Sequence, residues 1–191
     1  MSKTMAESLA DGAADFAAQV ESLSGAKINA CLQCAKCTSG CPVAARADIK
    51  PHELLRLVQL GMADEVLASR SIWQCVSCQT CATRCPQGVS IAAMTDVLRR
   101  LSRAAGKAAT DTKVPVFNDI FLNSVRKRGR MHEMGLMVAY KLRTMDLFSD
   151  VAKLPMMLRK GKLRLFGKRV GDKAARKGMF DRARAAGGDH K

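Results

Sequence analysis

The sequence predicts an all-α fold. Apolar residues recur at helical spacing on both sides of the cysteine-rich stretches and in the spacer between them, where a small two-stranded sheet would instead demand alternation. Aromatic residues make up only 4% of the chain, which argues against a β-sandwich and against an aromatic platform for single-stranded nucleic acid. The eight cysteines form two copies of one pattern, so a single structural reason applies twice. With 191 residues and 48% apolar content, the chain suits one compact domain with appendages.

The elements follow in order. Residues 1–25, with Leu9, Phe16, Val20 and Leu23 on one side, predict an amphipathic helix docked on a core. Residues 26–110 hold the cysteine runs and the helices between and after them. Pro51 suits a first helical turn, Leu54, Leu55 and Val58 form its apolar face, and Gly61 ends it. Ala63 to Ser69 reads as a second short helix. Ser90 is placed to cap a third, in which Ile91, Met94, Leu98 and Leu101 run up to Gly106. After a linker, residues 111–150 predict a helical hairpin. Phe117, Ile120, Phe121 and Ser124 mark one helix closed by Gly129, and Met131, Met134, Val138, Leu142 and Met145 mark the next. The second set reads either as hairpin core or as a pliable partner-facing surface, since methionine adapts to irregular contacts. Residues 151–191 are a basic tail, frayed beyond Asp172.

The net charge of +15 is concentrated in that tail: residues 151–191 carry 13 Lys/Arg against 3 Asp/Glu, whereas residues 1–112 carry 12 against 10. Arg159, Lys160, Lys162, Arg164, Lys168 and Arg169 are interleaved with Leu154, Met156, Met157, Leu158, Leu163, Leu165 and Phe166. No nucleic-acid-binding motif accompanies the charge, so docking on acidic partner surfaces is the favoured reading, with membrane contact confined to this tail. Neither a membrane span nor a secretory leader is expected, because apolar runs are short and Glu7, Asp11, Asp15 and Glu21 interrupt the start. A cytoplasmic location follows as an expectation.

The cysteines stand at 31, 34, 37 and 41 and again at 75, 78, 81 and 85, each run reading C-x2-C-x2-C-x3-C-P and closed by Pro42 or Pro86. Disulfides fit poorly, since thiols two residues apart rarely bridge each other. Structural zinc usually takes two separated C-x2-C pairs. The pattern found is that of bacterial two-cluster ferredoxins. Three thiolates from one loop wrap one face of a [4Fe–4S] cube and leave one iron for a thiolate from elsewhere. The fourth cysteine of each run serves the other cluster in such proteins. Cluster one is then expected on Cys31, Cys34, Cys37 and Cys85, and cluster two on Cys75, Cys78, Cys81 and Cys41. Pro42 and Pro86 fix the turns past the crossing ligands, and Trp73 is expected to shield cluster two. Lys36 and Arg84 lie in the cluster loops, read as solvated charge with a possible effect on cluster potential. His52, His132 and His190 are not at metal spacing, and His52 is read as a cap or surface contact.

Cys31 to Pro42, Pro51-His52-Glu53-Leu54, Trp73-Gln74-Cys75 to Pro86 and Gly129-Arg130-Met131-His132-Glu133 together resemble the α-helical ferredoxin family and, over most of the chain, the iron–sulfur C subunit of heterodisulfide reductase (HdrC). The resemblance implies two [4Fe–4S] clusters and a relay of electrons between a flavin-bearing HdrA-like protein and a disulfide-active HdrB-like protein. The residues agree by elimination. All eight cysteines are used as ligands, no Cys-Cys doublet occurs, and no G-x-G-x-x-G follows a strand, so no catalytic residue is expected. Abundant Ala and Arg point to a GC-rich bacterial genome and so to the sulfur-oxidising branch. The alternatives are an iron–sulfur subunit of another oxidoreductase or quinone-linked complex and a zinc-based nucleic-acid-binding adaptor.

Overall fold

The computed structural model describes residues 5–108, 113–145 and 170–185, with Met156 and Arg159, and of these the side chains from Asp15 onward apart from Arg184. The fold is all-α, and the described residues contain no strand. The chain divides into two units, Met1–Thr112 and Lys113–Lys191.

The first unit begins with α1 (Met5–Ser24), whose Ala17 and Val20 are buried and whose Phe16 packs on the core edge. Leu23, expected on the docked face, is 49% exposed, because it sits in the last turn before the chain leaves through left-handed Gly25. Leu9 lies outside the described side chains. The first cysteine run contains α2 (Lys36–Ser39) and is followed by α3 (Pro51–Gln59) and α4 (Ala63–Ala68). Helix α5 (Ser71–Gln74) leads into the second run, which contains α6 (Thr80–Arg84), and α7 (Ile91–Ala104) completes the unit.

Local chemistry places these helices. Pro51 opens α3, and the Glu53 carboxylate accepts the Lys50 N–H at 2.9 Å, satisfying a donor at the helix start. Its end is a Schellman closure: Met62 N–H reaches Leu57 O and Gly61 N–H reaches Val58 O, both at 3.0 Å. Gly61 has φ +68, the left-handed turn such a closure needs. Helix α7 starts on Ser90, whose Oγ accepts the Ala93 N–H at 3.3 Å, and ends by the same closure through Gly106. Leu54, Leu55, Val58, Ile91, Met94 and Leu98 are buried as their spacing predicts. Helix α1 packs on α3 and α7, and α4 and α5 pack on α7. Val20, Ile28, Leu55, Val58, Val66, Ile72, Met94 and Leu98 are thereby sealed from solvent, each contributing about 1.5–3 kcal/mol of burial.

The second unit contains α8 (Val114–Arg128), α9 (Glu133–Thr144) and α10 (Lys173–Ala185). Ile120 and Leu136 are buried, and Phe117 stacks on Phe121 and meets Tyr140 edge-on at 5.9 Å. His132 caps α9 by accepting the Gly135 N–H on Nδ1 at 3.0 Å. The Met131-to-Met145 face is not the hairpin core: Val138, Leu142 and Met145 are exposed by 51%, 60% and 83%. The inward positions are His132 and Leu136, one helical turn apart, so the buried face is rotated from the one the spacing predicts. The expectation of fraying from Asp172 onward is also corrected over residues 173–185. Asp172 accepts the Ala175 N–H at 3.2 Å and starts α10, whose Ala, Lys and Arg residues favour a helix. Val170 N–H bonds Arg128 O at 2.9 Å, tying its approach to the end of α8. Of the basic stretch 159–169, only Arg159 is described.

Candidate metal centre

The αL turns of the two cysteine loops are the first sign of a built site. Gln33 and Ala35 in the first run, and Ser77 and Gln79 in the second, have φ between +51 and +62. None is glycine, so each conformation costs about 1 kcal/mol or more and persists only where surrounding structure imposes it. The positions correspond between the runs. Such turns direct successive backbone N–H groups toward one concave side, where they can meet sulfur. One such contact is present: Gln33 N–H donates to Cys31 Sγ at 3.4 Å.

Two cavities receive the sulfurs. One, of about 380 Å³, is lined by Cys31, Cys34, Cys37 and Cys85, together with Lys36, His52, Leu55 and Pro86. The other, of about 570 Å³, is lined by Cys41, Cys75, Cys78 and Cys81, together with Pro42, Ile49, Leu54, Val76 and Thr80. Each cavity thus takes three cysteines from one run and the fourth from the other. Helices α2 and α6 pack against each other, and each carries its run into the cysteine lining the other run's cavity. All eight cysteines are free of disulfides.

The donor set fits a cube better than a single ion. Among the described residues no three His, Cys, Asp or Glu side chains converge tightly enough to hold one metal ion, yet four thiols surround each cavity. Cys31, Cys37, Cys81 and Cys85 pack on the hydrophobic core, whereas Cys34 and Cys78 are exposed, so each set spans from core to surface. Burial pushes the Cys37 and Cys81 thiols up, with Cys31 and Cys75 respectively adding to the effect. Hydrogen bonding with Thr80, whose Oγ1 lies 3.4 Å from Cys78 Sγ, holds the Cys78 thiol down.

Two anchors escape a reading of the sequence, and a third proves to be a longer-range tie than the one read. Asp48 accepts backbone N–H groups from Ile49 at 3.0 Å, Arg70 at 2.7 Å and Ser71 at 2.8 Å, and also the Ser71 hydroxyl. It thereby staples the chain after the first run to the helix start before the second. Burial alone would raise its carboxyl, but these hydrogen bonds hold it below the usual range. Arg99 of α7 reaches back to Ile72 O at 2.6 Å and to Cys75 O, fixing the entry to the second run. His52 takes Thr38 twice: its N–H donates to Thr38 Oγ1 at 3.2 Å, and its Nδ1 lies 2.8 Å from the same oxygen. The cap or contact read for His52 is therefore a tie between α3 and the residue after Cys37. A carboxylate followed 22 or 23 residues later by its partners leaves no local pattern, which is why the sequence hides Asp48.

Pro42 lines the same cavity as Cys41, and Pro86 the same cavity as Cys85. Trp73 does not line either cavity. It is 4% exposed inside the core, because the single turn of α5 points it inward before Cys75 is reached.

Comparison with known proteins agrees with this geometry. Residues 30–90 match the model of a 4Fe-4S dicluster domain. The chain is 39% identical over 82 residues to the iron-sulfur C subunit of CoB--CoM heterodisulfide reductase from Methanopyrus kandleri, covering 43% of each chain. It is 42% identical over 82 residues to the second iron-sulfur C subunit of the same enzyme from Methanocaldococcus jannaschii, covering 43% of this chain and 44% of that one. It is 30% identical over 94 residues to the C subunit of the H(2):CoB-CoM heterodisulfide,ferredoxin reductase of Methanothermobacter thermautotrophicus, covering 49% of each. The matches span less than half the length of these relatives, so the likeness is narrower than the one read over most of the chain. Repeated strained turns, two four-thiol cavities and these matches lead to one conclusion: the chain carries a 4Fe-4S dicluster domain with two [4Fe–4S] clusters as its cofactors, and in this half it is like the iron–sulfur C subunit of heterodisulfide reductase.

Proposed function

We propose that this protein is an electron-transfer subunit, passing single electrons through its two clusters between a flavin-bearing partner and a disulfide-active partner within a heterodisulfide-reductase-like complex. The observation that carries this reading is the division of the eight thiols between two adjoining cavities, each reaching the surface at one exposed cysteine. In this reading Cys31, Cys34, Cys37 and Cys85 hold cluster one, and Cys75, Cys78, Cys81 and Cys41 hold cluster two. The clusters supply one-electron redox chemistry at iron. The chain's own residues hold them rigidly and near each other, through the crossed cysteines and the α2–α6 contact. Core side chains wall both cavities: Leu55 that of the first run, Leu54 that of the second, and Ile91 both. With every thiol assigned as a ligand, substrate chemistry falls to partner subunits.

We place the complex in the cytoplasm and in sulfur oxidation. The composition supports the second reading, and no helix among the described residues is long and apolar enough to cross a membrane. The experiment is anaerobic purification of the tagged protein from its own host. Co-purification of a flavoprotein and a Cys-Cys-domain protein, with about eight irons per chain, is the expected result (two four-iron cubes). A membrane quinol protein as the sole stable partner would overturn the assignment to this complex, and about two zinc ions per chain would overturn the clusters themselves.

A further inference from the structure

Gly40 and Arg84 occupy the same place in the two runs, each immediately before the cysteine that crosses to the other cavity. A Cβ on Gly40 would stand 2.8 Å from Arg84 Cδ and Nη1 and 2.9 Å from Nε. Gly40 has φ −97 and ψ −1, a conformation open to any residue, so what glycine provides here is space. The Arg84 side chain fills that space, lying across the seam between α2 and α6. Among the described residues no hydrogen bond or ion pair engages its guanidinium. A cation is therefore held within one residue of both Cys41 and Cys85, with no carboxylate among the described residues paired to it.

We infer that Arg84 is a positioning residue whose charge is shared by both clusters and raises the reduction potential of each. The inference rests on the two-cluster reading above. A cube capped by four thiolates is anionic, and each electron added makes it more so, so a fixed neighbouring cation favours the reduced form. Because the seam adjoins both crossing ligands, the benefit falls on both clusters and eases their simultaneous reduction. The guanidinium is exposed, so solvent and salt screen the effect to a modest size.

The test is an anaerobic redox titration of the full-length protein followed by EPR, with iron and sulfide counted first. In Arg84→Gln the reduced-to-oxidised ratio of each cluster is expected to fall about threefold at a fixed ambient potential, near 30 mV at about 59 mV per tenfold. Arg84→Glu is expected to lower it about tenfold, and Arg84→Lys to restore it. Gly40→Ala, which keeps the charge but displaces it, is expected to shift both ratios in the same direction by less. Unmoved potentials in fully loaded Arg84→Glu protein would overturn the inference, and so would a shift confined to one cluster. Cluster loss in Arg84→Lys as well would show a packing role instead. Wild-type protein lacking about eight irons would sink the two-cluster reading itself, a separately visible result.

Discussion

The two cysteine runs are alike in backbone and unlike in surroundings. Both place left-handed residues two and four positions after the first cysteine, and both leave the next residue, Leu32 or Val76, and the second cysteine exposed. The walls differ. The cavity of the first run carries Lys36 and His52, whereas that of the second has no charged residue and is lined by Val43, Ile49, Leu54, Val76 and Ile91. The supports differ as well: the first run is tied down by the Thr38–His52 pair, and the second is entered through Asp48 and Arg99. Sequence repetition thus keeps the loop that wraps a cluster, while the dielectric and charge around each cavity come from the variable positions within the runs and from the segments outside them. This difference would give two chemically similar clusters distinct potentials.

The largest expected effect comes from breaking the crossing. Cys41→Ser should remove the EPR signal of the second run's cluster, and Cys85→Ser that of the first run's, each leaving about four irons. Loss of the signal from the run that bears the substitution would reverse the ligand sets.

Asp48→Ala should be next, at about 2–3 kcal/mol in denaturant unfolding, since it strands several donors on Arg70 and Ser71. It should loosen the second cluster more than the first. The sign of the pH effect follows from the lowered carboxyl. The folded-state value lies below the ordinary 3.8, so the carboxylate's contribution is fully present above that value. It is lost as pH falls through the lower folded value, and Asp48→Asn should flatten the acid limb of a stability–pH curve.

His52→Ala, which removes the ring contact to Thr38, should cost about 1 kcal/mol and alter only the first run's cluster signal. An equal change in both signals would deny the separation of supports. The smallest effect belongs to the αL positions. Ala35→Gly and Gln79→Gly should each leave iron content unchanged and raise stability by about 0.5–1 kcal/mol in thermal unfolding. A gain at one run and not the other would mean that the loops are not equivalent in the folded protein.

Much of this protein can be read without coordinates. The spacing of Leu54, Leu55 and Val58 and of Ile91, Met94 and Leu98 determined their helices, because periodicity and caps act within a few residues of chain. The cysteine spacing likewise named the cluster type, since ligand geometry within one loop is local. The rotated face of α9 and the core position of Trp73 were decided by tertiary packing, which selects among faces that the local pattern leaves nearly equal in energy. The Asp48 staple, the Arg99 tie and the fit of Arg84 over Gly40 join residues 22 to 44 positions apart. Contacts of that range exist only once the chain has folded, and no window of sequence contains both partners.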